Sequence, residues 1–399
     1  MRNRNKMPNK ILILLLATIF LQACGASSNI RPPEPLIEIE SESPVDVVWD
    51  ESFDSSDEGK LLKLSTAILG ENLFTVSSDG ELTAFKLTDG DDDWSVDLDR
   101  DITAGVGVSE DKLLLGTRDG IVMALDPKNG AILWDRRLAT EILSKPVASS
   151  GKVIVQTVDG TIYALDEKTG KQVWRYHKEG PPLSLRGTST PIFIQNIVIT
   201  GFATGTIVAL LLETGKQIWE IPVSQPSGRN EIERLTDVDA QPIVSEFRLF
   251  VASYHGKLVA IDIRSGEQLW SRDLSIISDM AIDSKNIYVL DDEGVMYAYE
   301  KSTGATVWQQ AQFVGRIPSP PAVVDGYVIV GDLEGFVHWL NVDDGRILAR
   351  KQIDGPIVTQ AVVRGPVAYV SSVSGDLAAL KLKNDLKSKF SFSFKPKKE

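Results

Sequence analysis

A single cysteine, Cys24, and three histidines are all that 399 residues offer toward thiol and imidazole chemistry. One thiol cannot close an intrachain disulfide or build a thiolate metal site, so no covalent staple is available. The histidines, His177, His255 and His338, are scattered, and no serine or cysteine sits in a nucleophile signature, which leaves acyl transfer without visible machinery. Acidic runs at Asp91-Asp92-Asp93 and Asp343-Asp344 lie beside turn glycines. They lack the spaced ligands and closing glutamate of a calcium loop and read as solvated turn residues, so no metal and no cofactor is expected. A basic footprint is missing too: the formal charge is −13, and removing residues 1–23 takes away four basic and no acidic side chains, leaving −17. Nucleic acid is therefore excluded as a partner. No apolar run is long enough to span a bilayer, since the one near the N-terminus, Ile11 to Leu21, falls well short of about 20 residues. Stability must come from a large core.

What precedes and follows that run is informative. Arg2, Arg4, Lys6 and Lys10 come before it, and Leu21-Gln22-Ala23-Cys24 after it. This is the layout of a secretory signal ending in a lipobox, with Cys24 as the lipid-bearing residue after cleavage; Gln22 stands where a smaller residue is usual. Gly25, rather than an aspartate, points to export to the outer membrane. We read residues 1–23 as a lipoprotein signal peptide, 24–42 as a lipid-anchored linker, 43–383 as the folded domain and 384–399 as a basic, unfolded tail.

Self-similarity organises the rest. The stretch "DGTIYALDEKTGKQVW" at 159–174 recurs from Asp79, Asp119, Thr204, His255, Glu293 and Glu334, and in truncated form as "SGDLAALKLKN" from Ser374. The leading glycines, Gly80, Gly120, Gly160, Gly205, Gly256, Gly294, Gly335 and Gly375, are 40, 40, 45, 51, 38, 41 and 40 residues apart. Within a copy, Ile162, Ala164 and Asp166 alternate with Tyr163 and Leu165, a period of two, and glycines that tolerate positive φ mark the turns. Two further β-rich runs precede each copy, as "KPVASS" and "KVIVQTV" do before Asp159. Four strands in about 40 residues make a propeller blade. The chain is expected to be all-β: an eight-bladed β-propeller of four-stranded antiparallel blades.

Trp-Asp pairs of the WD40 kind are mostly missing. The repeat "A-x-D-x-x-T-G-x-x-x-W" instead resembles that of quinoprotein dehydrogenases and their non-enzymatic relatives, in which the tryptophan docks between blades. Burying an indole could contribute up to about 4–6 kcal/mol per blade, an upper bound set by an extended reference chain.

The eighth copy ends after Leu380-Lys381-Leu382 with no fourth strand, while "SPVDVVWD" at 43–50 has a strand pattern and a tryptophan but no repeat of its own. It is predicted to pair with the last blade and close the ring. Trp49, Trp94, Trp134, Trp174, Trp219, Trp270 and Trp308 would then dock seven blades; the seventh copy has Ala349 in that place, and Trp339 belongs to the core.

Departures from the 40-residue period mark the functional loops. The third-to-fourth connection holds "HKEGPPLSLRGTSTP" at 177–191, and the fourth-to-fifth holds "SQPSGRNEIERLTDVDAQP" at 224–242. Both emerge on one face, one blade apart. In the first, Leu183 and Leu185 alternate with Ser184 ahead of Arg186; in the second, Asp237 and Asp239 share one side of an extended segment. Apolar anchors, an arginine and acids suit a partner site, and Leu183–Arg186 could pair with a partner strand's edge. The same residues could instead cap a blade and satisfy turn backbone.

The lipobox, eight such blades, "LSLRG" and "RLTDVDAQP" together resemble the BamB family, lipoproteins of the β-barrel assembly machinery in the outer membrane of Gram-negative bacteria. The resemblance implies a non-enzymatic scaffold on the periplasmic face. It also implies that Leu183, Leu185, Arg186, Asp237 and Asp239 contact a periplasmic POTRA domain of BamA, reaching other subunits through it and extending to nascent barrel strands. Two alternatives stay open: a quinoprotein-like dehydrogenase, and a propeller binding envelope glycans or peptides in its central channel.

Overall fold

A computed structural model describes residues 32–39, 44–55, 62–181, 188–225, 229–230 and 234–383. Cys24, the tail 384–399, and Leu183, Leu185 and Arg186 lie outside the described residues.

Among the described residues thirty-two strands form eight separate four-stranded antiparallel sheets, arranged as the blades of a ring. Seven blades are consecutive in sequence, spanning 67–97, 102–137, 147–177, 192–222, 243–273, 281–310 and 322–352. The eighth combines β30 (Val362–Arg364), β31 (Val367–Ser371) and β32 (Asp376–Leu382) with β1 (Val45–Ser52) as its outermost strand. First strands of successive blades neighbour one another, which puts them at the centre of the ring. Among the described residues the chain has no single core. Its apolar side chains form eight clusters, each sandwiched between adjacent blades, the last joining blade 8 to blade 1 through Trp49, Tyr369, Leu73 and Phe85.

The closure at β1 reproduces what consecutive blades do. Trp49 faces Ala379 as Trp174 faces Ala164, and the Phe53 amide donates to Gly375 O at 2.8 Å as Lys178 does to Gly160 O. The first and last strands of the described residues are thereby joined in one sheet, and the ring has no open blade.

Seven of the eight outermost strands carry a bulge beside a tryptophan, seen as a register shift next to the facing alanine. A bulge places two residues opposite one and re-aims the side chains. Tryptophan turns inward while the preceding residue turns out, which is why Val48, Leu133, Val173, Ile218, Leu269 and Val307 are exposed apolar residues. The kinked edge is a poor template for further strand pairing.

Six of the tryptophans seat on the next blade in the same way. The indole Nε1 of Trp49, Trp94, Trp134, Trp174, Trp270 and Trp308 donates to a backbone carbonyl in the neighbour's last turn, at 2.8–3.1 Å. The ring lies against that turn's glycine: a Cβ at Gly170 would meet Trp134 at 2.5 Å. Trp219 differs. Among the described residues it makes no such bond, and the nearest atom to a Cβ at Gly266 would be Ile221 Cδ1 at 3.9 Å. Ile221 occupies the approach to that turn, and Trp219 stays half-buried against the cluster between blades 4 and 5.

Candidate functional site

Every blade-to-blade connection leaves from an outermost strand and enters a central one, so all of them share one face of the ring. The two long connections on this face bracket blade 4. Of the first, Lys178–Pro181 and Thr188–Pro191 are described, and they rim a cavity of about 160 Å³ between blades 3 and 4 with Gln156, Asp159, Phe202 and Thr204.

The inner halves of the two connections are tied together. Ser189 Oγ of the first donates to Ala240 O of the second at 3.2 Å. Beneath them Thr200 Oγ1 donates to Gln156 Oε1 at 2.6 Å, and Gln156 Nε2 donates to Gly201 O at 3.0 Å. Gln156, Ser189 and Thr200 are all buried. A satisfied polar chain in a low-dielectric interior holds its members rigidly, because losing any partner strands a buried group. Packing adds to this. Val238 is fully buried over Gly201, where a Cβ would come within 2.4 Å of both Val238 Cγ1 and its carbonyl oxygen, and the Val238 amide donates to Phe202 O at 3.2 Å. Nothing larger than glycine lets the second connection lie so close to blade 4. Gln156, Ser189, Thr200 and Gly201 carry no motif that would have singled them out in the sequence, since their role depends on contacts 44 to 51 residues away along the chain.

The two aspartates of the second connection sit differently from each other. Asp237 has none of its surface exposed, and its carbonyl accepts the Tyr254 amide at 2.9 Å, so in the isolated chain it supports the connection from below. Asp239 is half-buried. Burial, and after it the negative charge of Asp237, push the Asp239 carboxyl up to about 7; Lys63 pulls the other way and Asp279 adds the least. Lys63 lies in the segment that enters blade 1, on the opposite side of the ring, so these groups face one another across the mouth of the central channel.

The channel itself opens into a cavity of about 400 Å³ lined by Ile192, Phe193, Pro242, Ile243, Val244 and Met280, with Gln241, Asp279 and Gln360 as its polar groups. Among the described residues no three His, Cys, Asp or Glu side chains are grouped as a metal would need.

The family model described as "Outer membrane protein assembly factor BamB" matches residues 78–310. Proteins of that name are similar over most of the chain: that of Marinobacter adhaerens is 44% identical over 384 residues, covering 95% of this chain and 98% of its own, and that of Pseudomonas aeruginosa is 41% identical over 368 residues, covering 91% and 97%. Among solved structures, BamB from Moraxella catarrhalis superposes with a TM-score of 0.79 at 29% identity, over 85% of this chain and all of that one. A quinohemoprotein alcohol dehydrogenase from Pseudomonas putida HK5 shares the fold, with a TM-score of 0.69 at 14% identity, over 88% and 78%.

Proposed function

The chain belongs to the family of outer membrane protein assembly factor BamB, and from that premise we propose that it is a non-enzymatic scaffold of the β-barrel assembly machinery. It is anchored in the outer membrane through lipid on Cys24, faces the periplasm, and binds the POTRA region of BamA, assisting the folding and insertion of barrel proteins. The binding face is the pair of connections around blade 4. Leu183, Leu185 and Arg186 supply the apolar anchors and the cation, Asp239 the acid with surface left for a partner, and Asp237 the support beneath it.

The observation that carries this reading is the buried tie between the connections, Ser189 to Ala240 over Gln156 and Thr200. It fixes the described inner parts of the two long loops against each other, and a preorganised base lowers the entropic cost of binding. A loop needed only to join two blades has no use for such a tie.

Calorimetry with the soluble domain and the POTRA region of BamA tests the reading. Saturable binding that disappears in folded Leu185→Asp and Arg186→Glu chains supports it. Absence of binding by the unaltered domain overturns it and returns attention to the channel.

A further inference from the structure

Residues 32–39 precede the first strand yet are not a loose connector. They lie in the groove between the outer edges of blades 6 and 7. The Glu34 amide donates to Val314 O at 3.0 Å, Arg316 Nη1 donates to Glu34 O at 3.0 Å, both terminal nitrogens of Arg350 reach Ile37 O at 3.4 Å, and Ile39 packs on the cluster between the two blades. Leu36 and Ile37 remain exposed, so the segment is held by its backbone.

The groove is built to grip a backbone. One buried carboxylate, Asp332, anchors two chains of donors. In the first, Arg316 Nε donates to Asp332 Oδ2 at 2.8 Å, Arg316 also pairs with Glu334, and its remaining nitrogen is aimed at Glu34 O. In the second, His338 Nε2 donates to the same Asp332 oxygen at 3.0 Å, its Nδ1 accepts from Arg350 Nε at 3.3 Å, and Arg350 is thereby turned toward Ile37 O. This assignment requires the neutral imidazole, and burial, acting against Asp332, holds the His338 pKa below its usual value. Both guanidinium groups flank the Phe336 ring, at 5.8–5.9 Å from its centroid. Arg316 is itself buried, so a donor left without an acceptor there would be costly.

We propose that residues 32–39 are a docked strap that fixes which part of the propeller is held against the membrane. Val314 and Arg316 belong to the connection from blade 6 to blade 7, so the strap begins on the same face as the two long connections, two blades round the ring from the nearer of them. The inference rests on the reading of Cys24 as the lipid-bearing residue. Seven residues separate Cys24 from Pro32, eight Cα-to-Cα steps with a reach of about 29 Å at most. Without docking the free tether would run to Pro44, about 70 Å when extended, and every orientation of the ring would be open. Docking shortens the leash and ties it to one edge, so a lipid surface meets the blade 6–7 rim of the connection face.

Full-length lipid-bearing protein in vesicles of phosphatidylethanolamine and phosphatidylglycerol, carrying an acceptor dye on a lipid headgroup, tests this. With Cys24 lipidated, an introduced thiol is the only free one and takes the donor dye, at Ala311→Cys on the blade 6–7 rim or at Gln195→Cys on the opposite face. The expected result is stronger energy transfer from position 311 than from 195, a difference lost when residues 33–39 are replaced by an equal length of Gly and Ser in a chain with an unchanged melting temperature. Equal transfer from both sites in vesicle-bound protein with the natural strap overturns the strap alone. Failure of the protein to float with vesicles overturns the anchor reading, and the orientation with it.

Discussion

Trp339 and Ala349 face each other across the two outer strands of blade 7, in the reverse of the arrangement found elsewhere. In the other seven blades the third strand supplies the alanine and the fourth the tryptophan, as in Ala164 and Trp174 or Ala379 and Trp49. Facing residues in a sheet share one pocket, so one large and one small side chain fill it from either strand. The reversal has a local cause. A fourth-strand tryptophan donates to a carbonyl in the next blade's last turn, and blade 8 has no such turn, because no hairpin joins its two outer strands, which meet with the Lys383 amide on Pro44 O. Trp339 fills the interface with blade 8 from the third strand instead, almost fully buried.

Removing that indole should therefore be costly, and moving it across should help only in part. Trp339→Ala is expected to destabilise by about 3–5 kcal/mol. Adding Ala349→Trp restores the volume but not a carbonyl for the N–H, so part of the loss should return in guanidinium unfolding. A double variant no more stable than the single one would refute the shared pocket.

Closure by β1 makes its own prediction. Trp49 is buried, donates to Leu87 O at 3.0 Å and lies on Gly90, so Trp49→Ala should cost stability comparable to a mid-chain blade tryptophan, about 3–5 kcal/mol. Deleting residues 43–50 should lower the melting temperature further and expose the β32 edge, which light scattering would report as self-association. An unchanged midpoint after the deletion would mean the ring does not need this strand.

Gly215 and Gly266 have nearly the same backbone, φ +68° and +73°, but different neighbours. A Cβ at Gly215 would meet the Trp174 ring at 2.5 Å, while one at Gly266 would have nothing closer than 3.9 Å. Each alanine substitution carries about 1–2 kcal/mol of backbone cost. Gly215→Ala should add a steric loss that Gly266→Ala does not, read as a lower denaturant midpoint. Equal midpoints would show that Trp219 seats on its turn as the others do.

Asp239 gives stability a pH dependence of definite sign. Its folded pKa, about 7, lies above the unfolded value, so the folded state keeps the proton longer. Stability should fall as pH rises from about 4 to about 7 and level off above that range. Asp239→Asn removes the effect, so urea midpoints of variant and natural chain should diverge in the variant's favour across this window. Parallel curves would place the carboxylate in ordinary solvent.

Much of this protein is legible along the chain because each repeat carries its instructions locally. A turn glycine, a period of two and a tryptophan recur about every 40 residues, which determines blade number, strand number and the need for a closing strand within 43–50, found as β1. Even the exception at blade 7 is visible as Ala349, although its reason is not. What only the tertiary structure decided are relationships between residues far apart in sequence: the seat denied to Trp219, the tie from Ser189 to Ala240, the meeting of Asp237, Asp239 and Asp279 with Lys63 at the channel mouth, and the grip of Arg316 and Arg350 on residues 34–37. Closing the ring creates these, because it brings chain segments up to about 300 residues apart within hydrogen-bonding distance, where burial and geometry rather than local pattern set the energy.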